Sequence, residues 1–488
     1  MQGLLLTNGS IYQRLYKATV SRNYYVITTL VIELQEKRFD VIFIGGGGAS
    51  YPGAFELARA GKSVLMVDRK GNLGGDCLYA GCIPSKAVRM KILEYSSTNS
   101  KVDPDEVWNE AIETKERVQR IRYKHHLEEI KEHEPNLTFV RGWATILSKH
   151  RVMVEGDEVF EAIGKYLVIG VGADSVSLNI PGKELTITSD DLFAYRKMIK
   201  RLPRSLAIIG GGYIGVEVAD MLSRLGLEVS IIEMMDRLLP NMPKDLSKYV
   251  EEKFREAGVN LYLNSPVRSI EKNGEKKIVK AKNVEVEAEE VLMAVGRRPR
   301  LKGYGLESLE NEGLKVEKAI VVNNALKTSI DNVYAAGDVT GKAMLFHAAV
   351  KESIVAAKNI LTGRDAYHIN YHSIPFTVFT YPEIGMVGYS EEELKALGIP
   401  YDVIDYKLDR DAQSQITNTH TIGRMKILLE RESLRILGAQ AYAHDAAELM
   451  AVFTVAIENN LTAKNLAWSA LPHPLTFESI NYSMRPYF

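Results

Sequence analysis

Two stretches of the chain show the same order of apolar and polar positions. Residues 39–68 read as the apolar run FDVIFIG, the turn GGGGAS, the amphipathic segment YPGAFELARAG and a second apolar run, KSVLMVD. Residues 205–233 repeat this order with SLAIIG, GGYIG, VEVADMLSRLG and LEVSIIE. A strand, a glycine-rich turn, a helix and a strand in this order predict a βαβ unit. The pattern therefore predicts an α/β fold with two nucleotide sites.

The pattern changes outside these two stretches. Residues 102–136 carry Glu, Lys, Arg and Ile at helical spacing, which predicts long helices with a solvated face. Residues 323–338 predict another strand, followed by a Gly-Asp turn. From about residue 369 the chain contains short apolar runs, SIPFTVF, EIGMVGY, GRMKILL and RILGAQAY, which predict short strands followed by helices.

Smaller signals mark the ends of elements. Ser390 and Glu393 have the spacing of a capping box, which predicts a helix from Glu391 onward. The stretch Tyr24–Leu34 is apolar but short and interrupted by polar residues. We expect it to be an extra strand or a poorly ordered extension before the fold begins near Phe39.

Length and composition narrow the class of protein. A chain of 488 residues is too long for one hydrophobic core, so several domains are expected. The formal net charge of -1 gives no electrostatic reason to expect nucleic acid or an anionic membrane as a partner. No segment is long and apolar enough to span a bilayer. The chain has 2 cysteines and no Cys/His cluster of zinc-site type, so we expect a cytoplasmic protein without a metal site.

The first glycine-rich turn has the residues of a dinucleotide loop. Gly45 permits a tight turn, and Gly47 lets the backbone approach a pyrophosphate at a helix N-terminus. Ser50 stands where a third glycine would allow close packing of helix and strand. Asp68 ends the next strand, where a carboxylate accepts hydrogen bonds from ribose hydroxyls.

The second turn has the complete fingerprint, with Gly210, Gly212 and Gly215. Glu233 ends the following strand, where it should bind the 2′-hydroxyl of NAD and repel the 2′-phosphate of NADP. Arg237 lies close enough in sequence to weaken that preference, and a helical surface pair of Glu233 with Arg237 is the alternative.

Cys77 and Cys82 lie in the segment GGDCLYAGCIPSK. Residues five apart in an ideal helix have Cα atoms about 8–9 Å apart, and a disulfide tolerates less than about 7 Å. A bond between the two cysteines therefore requires a distorted first turn, which Gly81 would ease. Such a strained bridge is reduced easily. Two buried free thiols are the alternative.

With these motifs the chain resembles the class I flavoprotein pyridine nucleotide-disulfide reductases, and within them the dihydrolipoamide dehydrogenases. The resemblance runs from about Phe39 to the C-terminus. It rests on GGDCLYAGCIPSK, GGGYIGVE at 210–217, AVGRRP at 294–299, AAGD at 335–338 and HPLTFE at 473–478.

The resemblance implies that FAD binds at the first loop and NAD at the second. It places Asp338 at the FAD ribityl or phosphate portion, Phe346 near the flavin through its backbone, and Lys86 near flavin N5, paired with Glu217. The FAD-site residues it implies are Gly45, Gly47, Asp68, Lys86, Ala144, Gly172, Asp338 and Phe346. Those of the NAD site are Gly210, Gly212, Tyr213, Gly215, Glu217, Glu233, Ala294, Gly296 and Arg297, with Tyr213 covering the nicotinamide pocket.

The resemblance also implies the chemistry. Cys77 and Cys82 would be the redox disulfide, and His473 with Glu478 the acid–base pair, supplied by the other subunit of a homodimer. Imidazole accepts a thiol proton near neutral pH, and a carboxylate orients the ring. The expected activity moves electrons between NAD(H) and a small dithiol/disulfide substrate or a lipoyl domain. Mercuric-reductase-like or other low-molecular-weight disulfide reduction is the alternative, and a flavin-containing assembly subunit is the non-enzymatic one.

Five positions depart from the family pattern. Asp76 replaces the usual threonine and places a negative charge near the FAD diphosphate. Gly170-Val171-Gly172 replaces the common Ala-Thr-Gly, Leu475 replaces threonine, and Ser50 alters the first fingerprint. None of them removes a group that the reaction needs.

The expected architecture is two Rossmann-like dinucleotide-binding domains and a C-terminal α+β dimerisation domain. The expected segments are an N-terminal extension at 1–37, an FAD-binding domain at 38–180 and 301–368, an NAD-binding domain at 181–300 and an interface domain at 369–488.

Overall fold

A computed structural model of the chain describes residues 35–97, 103–197, 199, 201–417 and 423–487, and the backbone alone of 2–7, 10–21, 24–33 and Arg410. The strands are β1 (Gln2–Thr7), β2 (Ser10–Ser21), β3 (Tyr24–Glu33), β4 (Gln35–Ile44), β5 (Val64–Asp68), β6 (Leu137–Ser148), β7 (Arg151–Gly156), β8 (Val159–Ile169), β9 (Ala173–Ser175), β10 (Ser205–Ile209), β11 (Glu228–Ile232), β12 (Asn260–Tyr262), β13 (Val267–Asn273), β14 (Lys276–Ala281), β15 (Glu285–Ala288), β16 (Glu290–Met293), β17 (Arg297–Pro299), β18 (Val333–Ala335), β19 (Phe376–Val378), β20 (Glu383–Gly388), β21 (Tyr401–Lys407), β22 (Arg424–Glu430) and β23 (Ile436–Ala443). The helices are α1 (Tyr51–Arg59), α2 (Gly75–Tyr79), α3 (Cys82–Ser97), α4 (Pro104–Glu132), α5 (Ser189–Phe193), α6 (Tyr213–Arg224), α7 (Lys244–Glu256), α8 (Leu306–Asn311), α9 (Phe346–Thr362), α10 (Glu391–Leu397), α11 (Ala412–Ile416), α12 (Ala446–Glu458), α13 (Ala463–Trp468) and α14 (Glu478–Met484).

The chain divides into two compact units. The first unit consists of residues 1–77, 122–173 and 298–369, and the second of residues 78–121, 174–297 and 370–488. Each glycine-rich turn therefore belongs to a different unit. Among the described residues, no helix is long and apolar enough to cross a bilayer.

The first unit is built on a six-stranded sheet in the order β18-β8-β4-β5-β6-β7. Strands β18, β8, β4, β5 and β6 pair in parallel, and β7 pairs antiparallel with both β6 and β8. Residues 41–44 and 64–67 are buried without alternation, as expected of strands covered on both faces. Helix α1 packs against α9 and against β5. The predicted strand, turn, helix and strand are all present.

The second unit contains a four-stranded parallel sheet in the order β12-β11-β10-β16. Helix α6 packs against β10 and β11 through its buried face. The antiparallel sheet β13-β14-β15 lies between β12 and β16 in the chain. This arrangement confirms the second predicted βαβ unit.

The C-terminal part of the second unit is an antiparallel five-stranded sheet in the order β19-β20-β23-β22-β21. Helix α12 packs against β20 and β23, and its buried residues join those of the sheet in one core. Helix α10 begins after Ser390, whose side chain accepts from the Glu393 N–H in the predicted capping box. The predicted α/β class with an α+β C-terminal part is confirmed.

The N-terminal region corrects one expectation and confirms another. Strand β4 begins at Gln35, before Phe39, because residues 35–39 continue its pairing with β8 although they are mostly polar and exposed. The backbone of Tyr24–Glu33 forms an extra strand, β3, paired antiparallel with β2. The rest of the predicted 1–37 extension lies partly outside the described residues.

Candidate functional site

The first glycine-rich turn connects β4 to α1 and needs glycine for steric reasons. Gly45 has φ +104°, and a Cβ atom there would lie 2.4 Å from the Gly170 carbonyl oxygen. Gly47 faces the backbone of Gly75, with 3.5 Å between an added Cβ atom and the Gly75 Cα. The turn thus presents bare backbone at the N-terminus of α1, where anions bind.

Two later segments pack onto the same turn. The Phe346 ring lies against Gly48, where an added Cβ atom would be 2.9 Å from the ring. Gly337 packs on Ala49, with 2.7 Å between its added Cβ atom and the alanine methyl group. Asp338, which follows Gly337, is half-buried beside the loop. The structure therefore brings Phe346 and Asp338 to the loop from more than 280 residues away in sequence.

Asp68 lies at the end of β5 and orders the turn through backbone hydrogen bonds. Its carboxylate accepts from the N–H groups of Gly46 at 2.9 Å and of Lys70 at 2.8 Å. It also lines a cleft together with Gly45 and Ala144. The predicted FAD-site residues Asp68 and Ala144 therefore line the same cleft, next to the loop.

Sequence reasoning missed several side chains of this cleft, among them Trp143, Arg300 and Tyr304. The Arg300 guanidinium donates to the carbonyls of Val171 and Ala173, and its backbone N–H donates to the Gly172 carbonyl. Gly172 has φ +76°, a backbone conformation that favours glycine. Arg300 directly follows the AVGRRP motif, which was the one available signal.

Two departures from the family pattern contact each other. Ser50 is fully buried, and its Oγ has no hydrogen-bond partner within the described part of the chain. A Cβ atom added at Gly170 would lie 2.4 Å from this oxygen, which is too close for any real side chain. The serine fits because residue 170 has no side chain. The alanine-to-glycine change at 170 therefore offsets the volume that Ser50 adds.

The second glycine-rich turn connects β10 to α6. Gly210 has φ +107°, and an added Cβ atom there would lie 2.4 Å from the Ala294 carbonyl oxygen. A Cβ atom at Gly215 would lie 2.1 Å from the Gly210 carbonyl oxygen, so only glycine lets α6 approach the strand. An added Cβ atom at Gly212 meets nothing within 4 Å. The space over Gly212 is open, as a pyrophosphate site requires.

Glu233 is held rigidly at the end of β11. Its carboxylate accepts from the N–H groups of Gly211 at 2.6 Å and of Met235 at 2.7 Å, and the residue is 7% exposed. Arg237 donates to the Pro240 carbonyl at 2.7 Å. Glu233 and Arg237 are not on a helix, so the structure contradicts the alternative of a helical surface pair.

The other predicted NAD-site residues surround this turn. Tyr213 is the first residue of α6, and burial raises its pKa to about 12. Gly296 has φ +107° with open space over it, and its carbonyl accepts from the Val176 N–H. Arg297 reaches the Ser175 hydroxyl at 3.4 Å. Together with Ala294 beneath Gly210, these residues lie in the second unit.

The two cysteines belong to different helices. Cys77 lies in α2 and Cys82 begins α3, with the chain turning at Ala80 and Gly81. The Cα–Cα distance expected within one ideal helix therefore does not apply to the two cysteines, because α2 ends between them. Gln119 caps this end, since its buried amide donates to the carbonyls of Leu78 at 2.8 Å and Tyr79 at 2.9 Å. No sequence signal indicated Gln119.

Lys86 lies one turn after Cys82 on α3, so the two side chains share a helix face. Its ammonium forms a 2.6 Å ion pair with Glu217 of α6 and lies 4.4 Å from the centre of the Phe379 ring. The Phe379 N–H donates to the other Glu217 oxygen at 3.0 Å. Two distant segments of the second unit thus hold Lys86 in place. Sequence reasoning missed Phe379.

His473 and Glu478 form a second polar cluster at the start of α14. Glu478 is buried and accepts from His473 Nδ1 at 2.9 Å, from the Leu475 N–H at 3.2 Å and from the Tyr482 hydroxyl at 3.1 Å. Burial acts to raise the pKa of Glu478, and these hydrogen bonds outweigh it and hold the pKa below its ordinary value. The His473 ring is exposed. Tyr482 is a partner that sequence reasoning missed.

The predicted residues fall into separate groups by unit. The first unit brings Gly45, Gly47, Asp68, Ala144, Gly172, Asp338 and Phe346 around one loop and cleft, whereas Lys86 belongs to the second unit with all the predicted NAD-site residues.

Comparisons with known proteins agree over most of the chain. Residues 39–353 match the family model for pyridine nucleotide-disulphide oxidoreductase, and residues 374–484 match that family's dimerisation domain. The chain is 31% identical to dihydrolipoamide dehydrogenase of Chaetomium thermophilum over 90% of this chain and 89% of that protein. It is 30% identical to dihydrolipoyl dehydrogenase of Bacillus subtilis over 90% of this chain and 97% of the relative. The HOCl-induced flavoprotein disulfide reductase RclA of Escherichia coli superimposes with a TM-score of 0.80 at 26% identity, over 92% of this chain and 99% of that one.

Proposed function

This chain belongs to the pyridine nucleotide-disulphide oxidoreductase family, and we propose that it oxidises a dithiol with NAD⁺, with dihydrolipoyl groups as the first candidate substrate. Members of the family are enzymes that bind FAD and use NAD(P)H. The match to the dimerisation domain supports a homodimer. The observation that carries the proposal is the face of α3, where Cys82 lies one turn from the Lys86–Glu217 ion pair.

The residues of the first unit fit FAD. The bare backbone of Gly45 and Gly47 suits the pyrophosphate, and the cleft with Asp68 and Ala144 suits the adenosine portion. When bound, FAD supplies the two-electron chemistry that links a thiol to a nicotinamide. In this proposal Lys86 sits at the flavin end, held in place by Glu217.

His473 is proposed to act as the base. The Glu478 carboxylate accepts from Nδ1–H, which leaves Nε2 as the acceptor of a substrate thiol proton. The substrate thiolate then attacks Cys77 of the oxidised Cys77–Cys82 pair, and Cys82 leaves as a thiolate. The second substrate thiol, once deprotonated, displaces Cys77, so the substrate leaves as a disulfide and the two cysteines hold its electron pair.

The proposed nucleotide is NAD rather than NADP. The Glu233 carboxylate is aligned by the N–H groups of Gly211 and Met235. A fixed carboxylate at the end of this strand accepts from the ribose 2′-hydroxyl and repels a 2′-phosphate.

A second candidate is reduction of a small disulfide with NADH. The likeness to the disulfide reductase RclA favours it, at 26% identity and a TM-score of 0.80. In this case the same two cysteines carry out the thiol–disulfide exchange in the opposite direction, and the cellular redox balance sets that direction. A mercuric-reductase-like activity that uses additional C-terminal cysteines is not supported, because the chain has 2 cysteines in all.

Two assays on the purified FAD-bound dimer test the proposal. Dihydrolipoamide with NAD⁺ should give turnover, and glutathione disulfide with NADPH should give little. Cys82→Ser should lower the rate of dihydrolipoamide oxidation by several orders of magnitude while retaining FAD and the wild-type thermal midpoint. Unchanged dithiol oxidation in Cys82→Ser would exclude the cysteine mechanism, and faster turnover with small disulfides and NADH would establish the second candidate.

A further inference from the structure

We propose that Lys70 is a cofactor-positioning residue, which neutralises Asp76 so that the first glycine loop can hold the FAD pyrophosphate. The proposal concerns FAD affinity alone and does not depend on which substrate the enzyme oxidises. It explains how the chain carries an acidic residue where the family pattern has threonine.

Asp76 follows a backbone segment that lies directly on the glycine loop. Gly74 donates its N–H to the Gly46 carbonyl at 2.9 Å. A Cβ atom added at Gly75 would lie 2.8 Å from the Gly47 Cα, so these two backbones are in contact. Asp76 is the next residue, in the first turn of α2. Asp76 therefore directly follows the backbone that packs on the loop proposed to hold the pyrophosphate.

Lys70 is positioned to cancel this charge. Its Nζ lies 2.6 Å from Asp76 Oδ1, and the two side chains are 26% and 38% exposed. The backbone of Lys70 is fixed as well, because its N–H group donates to the Asp68 carboxylate at 2.8 Å. The same carboxylate that orders the cleft thus anchors the lysine.

The electrostatic argument follows from the sign of each group. A pyrophosphate is anionic, and an unpaired carboxylate beside it repels it. Partial burial makes this repulsion stronger than it would be in bulk water. An ammonium at hydrogen-bond distance from the carboxylate converts the pair into a neutral dipole. Removing the lysine alone should expose the repulsion, and removing both charges should abolish it.

The test measures FAD binding to apoprotein by quenching of flavin fluorescence. Lys70→Met should weaken binding about five- to tenfold at low salt, and the loss should shrink as added salt screens the charge. Asp76→Asn should bind FAD at least as tightly as wild type. The double variant Lys70→Met/Asp76→Asn should return to within about twofold of wild type, which is the coupling that the proposal requires.

A matched control comes from the same unit. Lys37 forms a 2.6 Å ion pair with Glu158, away from the glycine loop. Lys37→Met should leave FAD affinity unchanged. The thermal midpoint of each apoprotein separates a folding defect from a binding defect, and Asp76→Thr replaces Asp76→Asn if the amide variant does not fold.

Two results would overturn the proposal. If Lys70→Met binds FAD as tightly as wild type, the lysine has no role in the site. If Lys70→Met and the double variant Lys70→Met/Asp76→Asn bind FAD equally weakly, Lys70 acts on FAD directly and not through Asp76. Neither result bears on the dithiol assay, so a failure here is distinguishable from a failure of the proposed function.

Discussion

Replacing Gly170 with alanine should push the first glycine loop away from β8. The added methyl carbon would lie 2.4 Å from Ser50 Oγ and 3.3 Å from the Ala49 methyl group. Both neighbours are buried, at 0% and 5% exposure, so neither can move aside into solvent. Overpacking of this kind costs about 1–3 kcal/mol. The loop shift also displaces Gly47, so FAD affinity should fall together with stability.

A second substitution, at the neighbouring Ser50, makes the experiment specific. Gly170→Ala should lower the thermal midpoint by about 4–8 °C if the cost is about 2 kcal/mol. Adding Ser50→Gly removes the clashing oxygen and a buried hydroxyl without a partner. The double variant Ser50→Gly/Gly170→Ala should therefore regain most of the stability and the FAD affinity, with a coupling energy of about 1–2 kcal/mol.

The control is Gly212→Ala in the other glycine turn. An added Cβ atom there meets nothing within 4 Å, so the thermal midpoint should stay close to wild type while NAD affinity falls. The reasoning is refuted if Gly170→Ala is as stable as wild type, or if the double variant is no better than Gly170→Ala alone. Calorimetry of the apoprotein and FAD titration supply both measurements.

Two further predictions concern the polar groups. Tyr482→Phe removes one hydrogen bond from Glu478 and should raise the pKa of that carboxyl towards its ordinary value, so the acid-side loss of dithiol oxidation should begin at a higher pH. An unchanged pH profile would show that the hydroxyl does not influence the His473–Glu478 pair. Glu233→Gln should raise kcat/KM for NADP⁺ relative to NAD⁺ about tenfold, equivalent to about 1.4 kcal/mol. Steady-state kinetics check this, and a preference that does not move would remove Glu233 from nucleotide selection.

Local pattern was enough to predict several features of this molecule. Both βαβ units were predictable because an apolar strand, a glycine turn and an amphipathic helix are each encoded by neighbouring residues. The glycines at 45 and 210 were predictable for the same reason, since a tight turn with positive φ favours glycine wherever it occurs. The helix after Ser390 followed from its own capping residues.

Other features depended on pairs of residues that are far apart in sequence. The fit of Ser50 against Gly170, and the placement of Phe379 beside Lys86, arise from strand order and helix packing in each unit. The end of α2 between the two cysteines is capped by a side chain from α4, namely Gln119. Ideal-helix geometry was wrong there because no residue near the cysteines indicated this contact.

The amino-acid sequence by itself determined the two nucleotide-type turns, the cysteine segment and the α/β class, because these depend on interactions within a few tens of residues. The tertiary structure alone decided which distant side chains and volumes meet: Phe379 with Lys86, and Gly170 with Ser50. Such meetings are set by sheet register and close packing, in which a shift of a single residue or one methyl group changes the partner.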